Sequence, residues 1–203
     1  MSDAPILAVE CNEKGTLVTR EVRLLSLTRA NLHKFWLASK QYPILLNQEI
    51  RGNFERFVNI FLEQDSNGIT PRGILYVIDD FLGVMFLTNI DVINNSAEAH
   101  FSFFDGRIHG RDKLAKELVK YVFNFYGFNR LTANVPAYVP SHTLAFAKRV
   151  GFKIEGRAKQ AAYNHDHYFD VTNLALLKSE VEEWALKSEQ SAETVEQSDS
   201  ELI

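Results

Sequence analysis

The chain has 203 residues, of which 46% are apolar and 24% charged, the proportions of an ordinary globular domain rather than a disordered or collagen-like chain. That length suits one compact domain and is too short for two of ordinary size. The net charge of −4 is concentrated at one end: Ser188–Ile203 carries five acids (Glu189, Glu193, Glu196, Asp199, Glu201) and no Lys or Arg, which leaves 22 basic residues against 21 acidic in the rest. A near-neutral body does not supply the basic footprint that nucleic acid requires, so no nucleic-acid partner is expected.

No run approaches the 18 apolar residues of a membrane span, and no basic segment leads into an apolar stretch at the start. No membrane partner and a cytoplasmic location are therefore expected. A single cysteine, Cys11, allows neither an internal disulfide nor a paired-thiolate metal site. Residues 188–203, rich in Ser, Glu and Gln and without an aromatic side chain, read as a disordered acidic tail, and residues 1–16 as an N-terminal extension.

In chain order, a turn at Glu13–Gly15 precedes a strand over Leu17–Leu27, where apolar residues alternate with polar ones. Thr28 caps a first helix with Leu32, Phe35 and Trp36 on one face, and Ile50, Phe54, Phe57, Val58, Phe61 and Leu62 predict a second helix from about Gln48 to Glu63. Three strands follow as an antiparallel meander: Gly73–Ile78, Phe81–Asn89 and Ala97–Phe104. A helix over Asp112–Tyr126 leads to a strand over Arg130–Val135, which predicts a parallel crossover. A helix near Ser141–Val150 ends at Gly151, and the strands Phe152–Arg157 and Tyr168–Leu176 precede a last helix from about Lys178. The expected fold is α+β: a mixed, mostly antiparallel seven-stranded sheet flanked by helices in the order β-α-α-β-β-β-α-β-α-β-β.

The segment Asp105–Lys113 joins a strand to a helix, and free N–H groups at a helix start, with Gly110 allowing close approach, favour an anion such as a pyrophosphate. Arg107, Arg111, Lys113, Lys116 and Lys120 add positive charge nearby, against Asp112 and Glu117; Asp112 reads as the cap of the helix. On the preceding strand Glu98, His100 and Ser102 share one face and Ala99, Phe101 and Phe103 the other, which makes Glu98 and His100 candidates for moving a proton. The run Tyr163–Tyr168 with Asp170 brings His165 and His167 to one face of an extended chain, but a loop lining a substrate cleft explains it better than a metal site, and no metal is expected.

The segment Ser141–Arg157, with Gly151, Phe152, Glu155 and Gly156, resembles the second signature of the GCN5-related N-acetyltransferases (GNAT), and Tyr168–Leu177 looks like that family's closing strand, especially in its RimJ/RimL-like branch. The resemblance covers roughly Val22–Trp184 and makes residues 1–187 a single three-layer acyltransferase domain. It implies an enzyme that moves an acetyl group from acetyl-CoA to a primary amine, of a protein N-terminus or a small molecule, by direct attack in a ternary complex. It also implies a cofactor-binding segment at Ser102, Phe103, Phe104, Arg107, Ile108, His109, Gly110, Arg111, Asp112 and Lys113. Trp36, Tyr138, Tyr163 and His167 are the substrate-side candidates, Ser141 and Thr143 the remaining hydroxyls near the family's proton-donor position, and a homodimer is compatible with it. The sequence departs from the family pattern at Asp112, Pro140 and Ala147. The competing expectation is a GNAT-fold protein that has lost catalysis and serves as a binding or structural module.

Overall fold

The computed structural model describes residues 4–13, 15–42, 46–66, 68–104 and 110–184. The expected acidic tail, and Arg107, Ile108 and His109 of the expected phosphate loop, lie outside these residues.

One eight-stranded sheet organises the chain, in the order β1-β2-β5-β6-β7-β8-β10-β9. Its strands are β1 (Leu7–Glu13), β2 (Thr16–Leu25), β5 (Ile74–Ile78), β6 (Gly83–Asp91), β7 (Ser96–Phe103), β8 (Arg130–Pro136), β9 (Lys153–Asn164) and β10 (His167–Leu177). All neighbours are antiparallel except β7 and β8, the pair joined by the helical crossover α4 (Arg111–Tyr126). A separate hairpin, β3 (Leu62–Asp65) and β4 (Gly68–Pro71), follows the helices α1 (Arg29–Lys40), α2 (Gln48–Arg51) and α3 (Phe54–Phe61). α5 (Ser141–Val150) sits between β8 and β9, and residues 178–184 are helical. No helix among the described residues is long and apolar enough to cross a membrane.

The sheet has eight strands rather than seven. Residues 7–13, read as part of an extension, form β1, which pairs with β2 from Leu7↔Val22 to Glu13↔Thr16. Their alternation buries only Val9 and Cys11, too short a pattern beside Glu10, Asn12 and Glu13 to announce a strand. The helix expected over Gln48–Glu63 is two helices, because Asn53 caps a new start by accepting a hydrogen bond from Arg56 N at 3.1 Å. Its last residues leave the helix altogether and enter β3.

Two cores flank the sheet. On one face α4 and α5 cover Met85, Leu87, Ala97, Ala99 and Leu131 with Leu114, Leu118, Val122 and Val150. On the other, α1 and α3 enclose an aromatic cluster centred on Phe35, whose ring lies 5.1 Å from Phe57, 5.8 Å from Phe61 and 5.6 Å from Phe86. Much of the phenylalanine content is thus spent on seating the α1–α3 layer. Trp36 belongs to the same layer: its Nε1–H points to the Ile50 carbonyl at 3.4 Å and Lys40 Nζ lies 4.4 Å over its ring. Phe35→Ala is expected to cost about 3–5 kcal/mol of stability, as read from urea unfolding with an unchanged m-value; a loss below about 1 kcal/mol would show that the cluster collapses around the gap.

Candidate active site

β7 and β8 pair only through Ser96↔Arg130, Ala97↔Leu131 and Glu98↔Thr132. Beyond Glu98, β7 continues against β6 as far as Phe103 while β8 continues against β10 as far as Pro136. The two strands splay, and a cleft of about 650 Å³ opens between them. Phe104 N donates to Leu82 O at 2.8 Å on the β6 side, so strand alternation turns the N–H groups of Phe101 and Phe103 to the open side. One wall of the cleft is therefore a row of backbone donors.

Parity along β7 divides the cleft between the two faces of the sheet. Phe101 and Phe103 join the α4/α5 core, with Phe146 of α5 at 5.9 and 5.6 Å from their rings. His100 faces the α1–α3 layer, stacked on Phe86 at 4.4 Å and 9°. Its Nε2 lies 2.9 Å from Thr88 Oγ1 and 3.7 Å from Glu98 Oε1. Burial pushes the imidazole below its ordinary value and the nearby Glu98 charge opposes that shift. Glu98 is itself fixed on both sides: Asn134 Nδ2 of β8 donates to Oε1 and Asn89 Nδ2 of β6 to Oε2, each at 2.8 Å. Glu98 and His100 thus form one polar cluster at the point where the sheet divides.

The expected anion site falls at the start of α4. Gly110 is the cap residue, in the left-handed region at φ 73°, and helix geometry leaves the N–H groups of the first turn without intrahelical acceptors. A Cβ at Gly110 would stand 2.9 Å from Cys11 Cβ, so the glycine is required both by conformation and by the approach of β1. Asp112, expected as the cap, is not the cap. It lies in the first turn and its Oδ2 accepts from Arg149 Nε of α5 at 2.6 Å, which balances its charge beside the helix start. Of the basic residues expected here, Lys113 Nζ donates to Glu10 O at 2.8 Å, Lys116 lies 5.6 Å over the Trp184 ring and Lys120 pairs with Glu117 at 2.9 Å. Arg111 makes no hydrogen bond or ion pair among the described residues.

Ser102, Tyr138 and Thr143 line the cleft with Glu98 and His100, whereas Ser141, on the first turn of α5, is exposed and outside its lining. Burial raises the Tyr138 phenol, whose ring lies 5.3 Å from Phe169. Ala147 lines the same cleft, and Pro140 is the cap residue of α5. Trp36, Tyr163 and His167 are not among the cleft's lining residues. In the run 163–170, Tyr163 donates to Asp166 Oδ1 at 2.9 Å and Asp170 Oδ1 accepts from Gln160 N at 2.9 Å. Among the described residues no group of three or more His, Cys, Asp or Glu side chains is arranged to hold a metal ion. Thr88, Asn89, Asn134 and Arg149 escaped the sequence reading, because each is defined by a partner on another element. Replacing Arg149 by Met exposes the α4 start to an unpaired Asp112 carboxylate and is expected to raise the Kd for coenzyme A severalfold, with Asp112→Asn in the same background restoring it. Calorimetric titration checks the cycle, and additive effects of the two changes would remove Arg149 from this role.

The sequence profile of the acetyltransferase (GNAT) domain matches residues 48–172. No curated protein sequence matches the chain. Among solved structures, variant forms of the spermidine/spermine N-acetyltransferase of Vibrio cholerae are similar at a TM-score of 0.62 and 18% identity, covering 82% of this chain and 98% of that one. A dodecameric spermidine N-acetyltransferase of the same organism gives 0.56 and 19%, covering 79% and 94%. A probable acetyltransferase gives 0.56 and 20%, with the same shares. At these identities the structures speak for the fold, and the profile, which spans more than half of the sequence, speaks for the family: the chain belongs to the GNAT acetyltransferases and is an N-acetyltransferase.

Proposed function

We propose that this chain transfers the acetyl group of acetyl-CoA to the primary amine of an acceptor, by direct attack within the cleft between β7 and β8. The observation that carries this reading is a cleft that joins a backbone donor row to a depressed histidine, on the strand that precedes a helix start with free N–H groups. The α4 start and Arg111 suit the pyrophosphate of the thioester substrate, and the open edge at Phe101 and Phe103 suits its carbonyl groups. The amine arrives from the α1–α3 side, where His100 and Glu98 stand. His100, neutral at working pH, takes the proton that the amine loses as its nitrogen bonds to the acetyl carbon. The C–S bond breaks, and Thr143 or Tyr138, both in the cleft, protonates the leaving thiolate. Tyr138 is suited to keep its proton until then, because burial raises its phenol.

Support for the RimJ/RimL-like branch remains the closing run Tyr168–Leu177. The spermidine acetyltransferases favour a small amine over a protein N-terminus as the acceptor, and the dodecameric relative favours an oligomer. The degenerate-module reading loses one of its three grounds, since Asp112 is paired with Arg149.

The pH dependence follows from the sign of the histidine shift. A base with a lowered value stays neutral further into acid, so the acid limb of kcat/KM should fall below about 6.5, the ordinary histidine value. The same shift makes neutral His100 a stabilising group above that value, and the contribution is lost as pH falls through the folded value. His100→Gln should lower kcat at neutral pH by about 10²-fold or more and remove that limb, with coenzyme A affinity retained. A variant with wild-type rate and profile would exclude the proton role, and a wild-type protein that binds acetyl-CoA but acetylates no amine would return the module reading.

A further inference from the structure

A second hollow, of about 440 Å³, lies between the start of α2 and the turn joining β9 to β10. Its lining includes Gln48, Glu49, Asn53, Asn164, His165 and Asp166, with no Lys or Arg. Two of these are carboxylates. Glu49 is ion-paired with Arg56, itself outside the lining, and Asp166 uses Oδ1 to accept from Tyr163. Asn53 turns its side-chain oxygen to the cap of α3.

An independent feature points to a ligand. Asn164 is 7% exposed, and its Oδ1 is a buried acceptor with no hydrogen-bond partner among the described residues. Buried acceptors left unpaired are costly and rare, so one on the wall of a polar hollow calls for a donor. An unpaired amide oxygen on a residue that shares a hollow with two carboxylates, with no Lys or Arg in the lining, selects a positively charged donor such as an ammonium group.

Strand β9 connects this hollow with the catalytic cleft. Ala162 lines the cleft and Asn164 lines the hollow. Residues two apart on a strand project to the same face, about 7 Å apart. An extended molecule lying along β9 reaches both. We propose that the hollow is a distal subsite for the acceptor, which holds a second ammonium group of an elongated diamine through Glu49, Asp166 and Asn164 while the first amine reacts beside His100. This assignment rests on the acetyl-transfer reading and adds to it the class of acceptor.

The test compares diaminohexane with hexylamine, which share one chain length and differ in the second ammonium group. In the wild type the ratio of kcat/KM, diamine over monoamine, is expected to be about tenfold, and Glu49→Gln and Asp166→Asn are each expected to bring it close to one. Asn164→Ala serves as a third variant, and the two exposed substitutions keep the test valid if it fails to fold. A wild-type ratio near one, or a ratio that neither carboxylate variant lowers, overturns the subsite. If no amine is acetylated at all, calorimetric titration with the same two compounds decides separately. Tighter binding of diaminohexane that both variants weaken keeps the subsite while the acetyl-transfer reading falls, and equal binding of the two compounds overturns it.

Discussion

The divergence of β7 from β8 is the constraint on which the rest of the structure depends. Three residue pairs hold the strands together, and the carboxylate of Glu98 stands at the fork with one oxygen tied to Asn89 on β6 and the other to Asn134 on β8. A sheet that parts in its middle loses ladder hydrogen bonds along both new edges, and those groups must find partners elsewhere or face a ligand. The fork therefore makes the cleft, orients the donors of β7 into it, and divides its wall between the two faces of one strand.

The flanking layers are arranged around that division. The α4/α5 side is aliphatic near the sheet and presents a helix start, suited to an anionic thioester substrate. The α1–α3 side is aromatic and ends in the hydrogen-bonded cluster of Thr88, Glu98 and His100. His100 belongs to both systems, since its ring is packed on Phe86 as part of a core and its Nε2 is held by a hydroxyl as part of a site. Packing of this kind fixes a rotamer without freezing the proton.

Much of this was legible in the sequence wherever the information is local. Periodicity and caps located α5 at Ser141–Val150 and α4 to within a residue, and alternation assigned Glu98, His100 and Ser102 to one face of β7. What escaped was non-local or short. β1 has seven residues and only two fully buried apolar side chains to show for it. The break between α2 and α3 depends on an asparagine cap in an otherwise helical pattern. The cap assigned to Asp112 failed because its partner Arg149 stands 37 residues away, beyond any spacing rule. Asn134 and Asn89 read as ordinary strand polar residues until the fork brings them to the same carboxylate.

The contact of β1 with α4 bears on how the site forms. Lys113 reaches back 103 residues to the Glu10 carbonyl, and Gly110 packs on Cys11 across 99. Contacts of such sequence separation carry a large loop-closure entropy and raise the contact order of the fold. The helix start is consequently seated by an element synthesised long before it. Fraying of the first strand would therefore loosen the start of α4 before it disturbed the fork between β7 and β8.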